Sequence, residues 1–129
     1  LSPSAGIELT GYETGEHGGR SRTRITVRVG GEEHTSSHDD MGPVEALTTA
    51  LSAQGIDLDV LDLHQTSIGT GNDSEALTLV EYRHPDGTDW AAGKASSVLA
   101  ASLEAVIIAA NAVTPQDANV ALPSAVVSQ

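Results

Sequence analysis

The side chains best suited to ligate a metal ion lie together at His34, His38, Asp39 and Asp40. A His-x-x-x-His pair brings both rings to one side of the chain when it lies on an α-helix. Here the surrounding pattern predicts a strand that ends in a loop, and four residues of strand separate the two rings by about 13 Å. We therefore interpret this segment as a solvated polar strand end, with no metal and no cofactor.

Other catalytic arrangements are absent from the sequence or incomplete. A serine with His64 and Asp62 would supply the residue types of a hydrolytic triad, but the chain has neither a Gly-x-Ser-x-Gly nucleophile elbow nor a cysteine. Gly93-Lys94 resembles the end of a phosphate-binding loop, yet Thr88 replaces the required Gly and Ala95 the required Ser or Thr. We expect this chain alone to be non-catalytic.

A candidate binding element is the segment 38–47, in which Gly42 ends a polar loop and Pro43 opens a helix. Proline suits the first helical position because its φ is already fixed and its missing N–H would have had no partner. Apolar residues at helical spacing and a terminating glycine follow, at Val44, Leu47, Leu51 and Gly55. The free N–H groups and partial positive charge of a helix start favour a small anion, such as the carboxylate of an amino acid.

The composition limits the partners that the chain can bind. Its 129 residues fit one domain, with an aliphatic core because Phe is absent. The net charge of −12 repels nucleic-acid phosphates, and the aromatic residues that would stack on bases make up only 2% of the chain. No stretch approaches the roughly 20 apolar residues of a membrane span, and no signal-peptide pattern is present. We expect no nucleic-acid or membrane partner and a cytoplasmic location, with which the lack of cysteine is compatible.

Hydrophobic periodicity predicts two β-β-β-α units about fifty residues apart. The first has strands at 7–14, 20–29 and 32–37 and a helix at 43–54; the second has strands at 58–68, 76–83 and 88–92, a turn at 69–73 and a helix at about 97–113. Two three-stranded layers, each covered by a helix, form an α+β two-layer sandwich. We expect a linker at 1–6, repeats at about 7–55 and 56–115, and a flexible tail at 116–129.

The second predicted helix is rich in alanine, at positions 100, 101, 105, 109, 110 and 112. Small side chains let a helix approach its neighbours closely, so this helix suits a position between layers or at a subunit contact.

Four of the six basic residues, Arg20, Arg22, Arg24 and Arg28, share one face of the second predicted strand. One interpretation is cross-strand pairing with carboxylates, for which the candidates are Glu8, Glu13, Glu32 and Glu33. The other is a docking face for an acidic partner domain.

The order of the motifs resembles a known family. The resemblance is carried by Val29-Gly30-Gly31, Gly42-Pro43-Val44-Glu45-Ala46-Leu47, Val60-Leu61-Asp62, Gly71-Asn72-Asp73-Ser74-Glu75-Ala76, and Trp90-Ala91-Ala92-Gly93 followed by Ala101-Ser102-Leu103-Glu104-Ala105-Val106. This pattern, over about residues 7–113, resembles the C-terminal regulatory domain of 2-isopropylmalate synthase, which citramalate synthase shares. The resemblance implies a duplicated β-β-β-α domain that dimerises, binds leucine or isoleucine near the dimer interface, and inhibits a separate catalytic barrel. That barrel condenses acetyl-CoA with a 2-oxo acid, which makes the enzyme a transferase of branched-chain amino acid biosynthesis.

The same resemblance implies an effector pocket built from two loop-to-helix junctions and the strands beside them. By position its residues are Asp40, Met41, Gly42, Val44, Leu63, Ser67, Ser74, Ala76, Lys94 and Ala95.

The sequence departs from the family in both loops. Asp39-Asp40-Met41 replaces a glycine-rich first loop, and Trp90-Ala91-Ala92-Gly93-Lys94 replaces a Trp-Gly-x-Gly segment followed by an apolar residue. Unpaired charge is costly in an aliphatic pocket. Three possibilities follow: these charged groups pair with each other, the ligand is not plain leucine, or the pocket is lost. For Lys94 the candidate partners are Asp39, Asp40 and a ligand carboxylate. The alternative function is then a structural dimerisation module with lost or changed effector binding.

Overall fold

The computed structural model describes residues 6–68 and 75–114 and contains two successive β-β-β-α units. The first consists of β1 (Ile7–His17), β2 (Arg20–Val29), β3 (Glu32–Asp39) and α1 (Pro43–Ala53). The second consists of β4 (Asp59–Ile68), β5 (Glu75–His84), β6 (Gly87–Ala95) and α2 (Val98–Val113). The predicted α+β class and duplication are confirmed. The predicted turn at 69–73, Ser74, the tail at 116–129 and all but the last residue of the linker at 1–6 lie outside the described residues.

Each unit forms its own antiparallel sheet, with the order β1-β2-β3 in the first sheet and β4-β5-β6 in the second. Turns at Gly18-Gly19 and Gly30-Gly31 join the strands of the first sheet, and all four glycines have φ between 61° and 90°. Glycine adopts this conformation at little cost, as a two-residue hairpin turn requires. The first strand of each unit also shifts register, near Leu9 in β1 and near Val60 in β4. The duplication therefore extends to the details of strand pairing.

Strands β1, β3 and β6 run further than the sequence predicts, and β1 reaches His17 although its predicted end is residue 14. His38 and Asp39 belong to β3, where they pair with β2. Lys94 and Ala95 belong to β6 and pair with β5, so their predicted position in a loop is wrong. Asp, Ala, Gly and Lys have low strand propensity, and pairing with a neighbouring strand places them in the sheet against that preference.

One continuous core joins the two units. The helix α2 packs across β5 and β6 and also touches β1, whereas α1 packs on β2 and β3 and against α2. Fully buried side chains come from both units: Ile25, Val27, Leu47, Leu51, Val80, Leu103 and Val106. Because α2 contacts both sheets, its position determines how the units fit together.

The contact between α2 and β6 depends on small residues. A Cβ atom added at Gly93 would overlap the backbone of Ala101 and Ala105. The side chains of Ala101, Ala105 and Ala109 are fully buried. The alanine-rich helix therefore lies close against its sheet, as its composition predicts.

Asn111 in α2 ties the second unit to the first strand. Its Oδ1 accepts the N–H of Ile7 at 2.9 Å, and its Nδ2 donates to the carbonyl oxygen of Ile7 at 3.0 Å. The side-chain amide thus binds β1 as a neighbouring backbone would.

Within residues 6–68 and 75–114, no helix is long and apolar enough to span a membrane. In the same ranges, no group of three or more His, Cys, Asp or Glu residues is arranged to hold a metal ion.

Candidate functional site

The loop before α1 is held by two arginine–carboxylate pairs. Asp39 accepts two hydrogen bonds from Arg22, with Nε–Oδ1 at 2.7 Å and Nη2–Oδ2 at 3.3 Å. Hydrogen bonding and the charge of Asp39 raise the pKa of Arg22 above its ordinary value. Asp40 lies 3.3 Å from Nε of Arg20, measured at its Oδ2. Arginines of β2 therefore pair with both Asp39, the last residue of β3, and Asp40, which follows it.

The backbone of this loop follows a path that suits glycine. Asp40 has a φ of 60°, in the left-handed region that costs most residues about 1–2 kcal/mol and that aspartate tolerates better than most. Its N–H donates to the carbonyl oxygen of Ser21 at 2.9 Å. Asp40 thus keeps the left-handed backbone conformation that suits glycine and adds a negative charge to the loop.

The arginines of β2 form cross-strand pairs on the outer face of the first sheet. Arg28 contacts Glu8 at 2.8 Å and Glu33 at 3.0 Å, and Arg24 contacts Glu13 at 3.8 Å. These distances favour the interpretation of cross-strand pairing over that of a docking face for an acidic partner domain. Glu32 does not join this set: its Oε1 lies 3.9 Å from Nε2 of His34.

His38 is not part of a solvated strand end, and that expectation is wrong. Its side chain lies on the face of the first sheet that carries Ile25, opposite the buried Thr23, and the residue is only 9% exposed. Its Nε2 lies 2.8 Å from the hydroxyl oxygen of Ser36. Because side chains alternate along β3, His38 points into the core and Asp39 lies on the face that carries the arginines of β2.

The start of α1 is open, whereas the start of α2 is closed by a side chain. Gly42 has extended geometry (φ −68°, ψ 162°) and provides no side-chain cap, and Pro43 follows. Ser97 instead accepts the N–H of Ala100 at 3.1 Å at the start of α2. Since Pro43 has no N–H and that of Ala46 bonds to the carbonyl oxygen of Gly42 at 2.9 Å, the first turn of α1 offers an anion the N–H groups of Val44 and Glu45, beside the carboxylate of Glu45.

Three predicted effector residues pack against the shared hydrophobic core. Met41, Val44 and Leu63 are partly buried and pack against the same hydrophobic cluster. The first two flank the open start of α1, and Leu63 comes from β4. Met41 and Val44 therefore place apolar side chains beside the uncapped start of α1.

A second group forms a row across the second sheet. Ser67, Ala76 and Ala95 are cross-strand neighbours on its inner face, where Ala76 is buried. Lys94 lies on the opposite face because side chains alternate along a strand. Its Nζ is 3.6 Å from Oε1 of Glu75, so Lys94 pairs with neither loop aspartate.

A buried hydroxyl network beside this row is absent from the sequence-based site. Ser102 Oγ donates to the carbonyl oxygen of Val98 at 2.8 Å and accepts the Nε2–H of Gln65 at 2.8 Å. Thr78 Oγ1 lies 3.1 Å from Ser102 Oγ and serves as a donor, since the Ser102 proton is already used. The signal available in the sequence was a polar residue among apolar neighbours, which occurs at Ser102 in α2 and at Thr78 in β5.

Comparison with known proteins agrees with this architecture. The family model of the LeuA allosteric (dimerisation) domain matches residues 2–114. The chain belongs to this family. The similar curated proteins include the 2-isopropylmalate synthases of Parafrankia sp. (33% identical over 110 residues, 84% of this chain and 20% of the relative), Mycobacterium leprae (36% over 101 residues, 78% and 17%) and Rhizobium meliloti (34% over 115 residues, 86% and 21%).

This LeuA domain spans about a fifth of the length of those synthases. The resemblance seen in the sequence is confirmed, and with it the place of the chain in the LeuA allosteric (dimerisation) domain family. The individual effector residues of the LeuA domain stay predictions. Among those described, Met41, Val44 and Leu63 pack against the shared core, whereas Lys94 lies on the outer face of the second sheet beside Glu75.

Proposed function

We propose that this LeuA domain binds leucine or a closely related amino acid, forms a homodimer, and inhibits the catalytic barrel of a 2-isopropylmalate synthase-like enzyme in the cytoplasm. The effector would act by differential binding, because a ligand shifts a conformational equilibrium only as far as it prefers one state. The preferred state would be the one in which the linked barrel is less active.

The pairing of the loop aspartates carries this proposal. Charged residues in the first loop argued against an aliphatic ligand, but Asp39 and Asp40 are engaged by Arg22 and Arg20. Lys94 is engaged by Glu75 on the other face of the second sheet. The apolar side chains of Met41 and Val44 and the N–H groups of Val44 and Glu45 at the start of α1 support this proposal, because they suit an aliphatic side chain and a carboxylate.

Calorimetric titration of the purified chain with leucine tests the proposal. We expect saturable binding and a rise in melting temperature, since a ligand at one hundred times its Kd adds about 2.7 kcal/mol of stability. Isoleucine should bind in the same site, and lysine and glutamate should not compete. A folded dimer that responds to neither leucine nor isoleucine would instead indicate the alternative function, a dimerisation module without effector binding.

A matched pair of variants locates the site. Val44→Asp places a carboxylate beside the open start of α1 and should weaken leucine binding at least tenfold through repulsion of the ligand carboxylate. Val98→Asp makes the same change at the start of α2, where Ser97 already caps the helix. That variant should bind leucine like the unmodified chain, and equal weakening in both would move the site away from α1.

A further inference from the structure

The outer face of the second sheet carries exposed apolar side chains. The helix α2 packs on the inner face of this sheet, where Thr78 and Val80 are completely buried. Because side chains alternate along β5, Leu79 lies on the outer face, where it is 37% exposed. Trp90 of β6 lies on the same face and is 46% exposed. An indole ring and a leucine side chain that are this open offer an apolar surface to a partner.

Glu81 lies on this outer face without a partner. In the register of the sheet it is opposite Asp62 on one side and Trp90 on the other. Asp62 is engaged, since its Oδ2 lies 3.1 Å from Nε2 of His64 and its Oδ1 accepts the N–H of Leu63 at 2.8 Å. Glu81, in contrast, forms neither a hydrogen bond nor an ion pair with any residue of the ranges that the structure describes.

The burial of Glu81 makes the missing partner costly. Among the acidic residues that the structure describes, only Asp39 and Glu81 are partly buried, and the others are exposed. Asp39 accepts two hydrogen bonds from Arg22. Glu81 instead faces a second carboxylate, that of Asp62, across the strands. A partly desolvated carboxylate without a partner is unfavourable, and like charges opposite each other destabilise a sheet. A cation bound at Glu81 would relieve both costs.

An aromatic ring lies beside this carboxylate. The rings of Trp90 and His64 lie 5.6 Å apart. Since Trp90 belongs to β6 and His64 to β4, the two rings approach each other above β5, in the adjoining rows of Glu81 and Leu79. A carboxylate next to an indole ring suits an organic cation, which stacks on the ring and pairs with the carboxylate.

The cation must come from another kind of molecule. Every lysine and arginine of this chain already has a carboxylate partner within 4 Å: Arg20, Arg22, Arg24, Arg28, Arg83 and Lys94. A second copy of the chain would therefore have to break one of its own ion pairs to supply a cation to Glu81.

We propose that Glu81 and Trp90 bind the guanidinium group of an arginine in a different protein, and that Leu79 contacts an aliphatic residue next to that arginine. The planar guanidinium group stacks on an aromatic ring and donates two parallel hydrogen bonds to a carboxylate, which the ammonium group of lysine does not do. The net charge of −12 attracts such a partner. This binding surface goes beyond the proposed function and does not depend on the effector.

A fluorescence titration tests the proposal, because Trp90 is the only tryptophan of the chain. The probe is the peptide acetyl-Leu-Arg-Leu-amide, added to the full chain at neutral pH in about 0.15 M salt, which screens distant charges. We expect a saturable change in the emission of Trp90. The same peptide with citrulline in place of arginine keeps the shape without the charge and should bind at least about tenfold more weakly. Equal binding of the two peptides, or no saturation with the arginine peptide, would overturn the proposal.

Two variants separate Glu81 from the general charge of the chain. Glu81→Gln keeps the shape of the side chain, removes its charge and should weaken binding of the arginine peptide at least fivefold. Glu16→Gln removes one exposed charge from the first sheet and should change the affinity less than twofold. Equal weakening in both variants would indicate attraction to any acidic surface and contradict a site at Glu81.

The melting temperature of the free chain gives a second measurement. Glu81→Gln should raise it by about 2 °C, because the variant no longer opposes two carboxylates across the strands. A lower melting temperature would mean that Glu81 already has a stabilising partner within the chain, which the proposal does not allow.

Argininamide distinguishes a protein partner from a free small cation. It offers the guanidinium group without a neighbour for Leu79, and it should bind at least threefold more weakly than the arginine peptide. Equal affinity would assign the surface to a small molecule and overturn the choice of a protein.

This surface and the effector site fail separately. Glu81→Gln should bind leucine like the unmodified chain in calorimetry. A chain that binds leucine and does not respond to the arginine peptide overturns the arginine site and leaves the effector proposal intact. A chain that responds to the peptide and gives no heat with leucine does the reverse.

Discussion

The two β-β-β-α units share an element order but differ at the start and along the length of their helices. The helix α1 begins at Gly42 without a side-chain cap, whereas Ser97 caps α2. The helix α2 also lies close against its sheet through Gly93. The comparison indicates a division of roles within a duplicated fold. The first unit leaves backbone groups open beside an apolar edge, and the second closes the core that both units share.

Removing the close approach in the second unit gives the largest expected effect. Gly93→Ala places a methyl group against the backbone of Ala101 and Ala105, which no side-chain rotation can relieve. We expect the free energy of unfolding, measured in urea, to fall by about 3 kcal/mol, at the upper end for overpacking. Gly15→Ala in β1 is the control, since a Cβ there meets nothing within 4 Å. Equal losses in the two variants would refute the role given to Gly93.

The hydroxyl network tests whether the second unit depends on a satisfied polar core. Ser102→Ala leaves the buried hydroxyl of Thr78 without its partner. The expected loss is about 2 kcal/mol, the cost of an unsatisfied buried polar group. Adding Thr78→Val should recover part of it, because the double variant has no stranded donor. A double-mutant cycle by urea denaturation measures the coupling, and strict additivity of the two losses would contradict the network.

Much of the fold of the first unit could be predicted from the sequence. Alternation in β2, glycine pairs at the hairpins, and proline followed by helical spacing at α1 are local signals, and each led to the observed element. The cross-strand partners of Arg24 and Arg28 also followed, because alternate residues of one strand face the same neighbours.

The remaining features depend on pairing over long distances. Ala91 to Ala95 contains no β-branched residue, so the strand β6 shows no period of two and is defined by its register with β5. Whether Asp39 meets Lys94 or Arg22 depends on which strands are neighbours. The role of Asn111 depends on the approach of α2 to β1. Asn111 and Ile7 are 104 residues apart in the sequence, so no local pattern predicts their contact.

The loop of the first unit gives a smaller effect on stability. Asp40→Gly should raise the free energy of unfolding by about 0.5–1 kcal/mol, because glycine relieves the left-handed strain at this position at some cost in unfolded-chain entropy. The lost contact with Arg20 offsets little of this, since both side chains are more than half exposed. Asp40→Ala keeps the strain, loses the ion pair, and should not stabilise the chain. Equal stabilities of the two variants in urea denaturation would show that backbone strain at residue 40 is unimportant.

The two tyrosines give the smallest effect, and they divide between the units: Tyr12 of the first is 38% exposed, and Tyr82 of the second is 6% exposed. Burial, and then the charge of Asp89, raise the pKa of Tyr82 above its ordinary value of 10.0. The unfolded chain therefore loses this proton first as the pH rises. The stability that Tyr82 contributes should be complete below about pH 10 and should decline from there through its folded pKa. Urea denaturation between pH 8 and 11 should show this decline in Tyr12→Phe and a smaller decline in Tyr82→Phe. The same decline in both variants would mean that the buried phenol of the second unit is not its source.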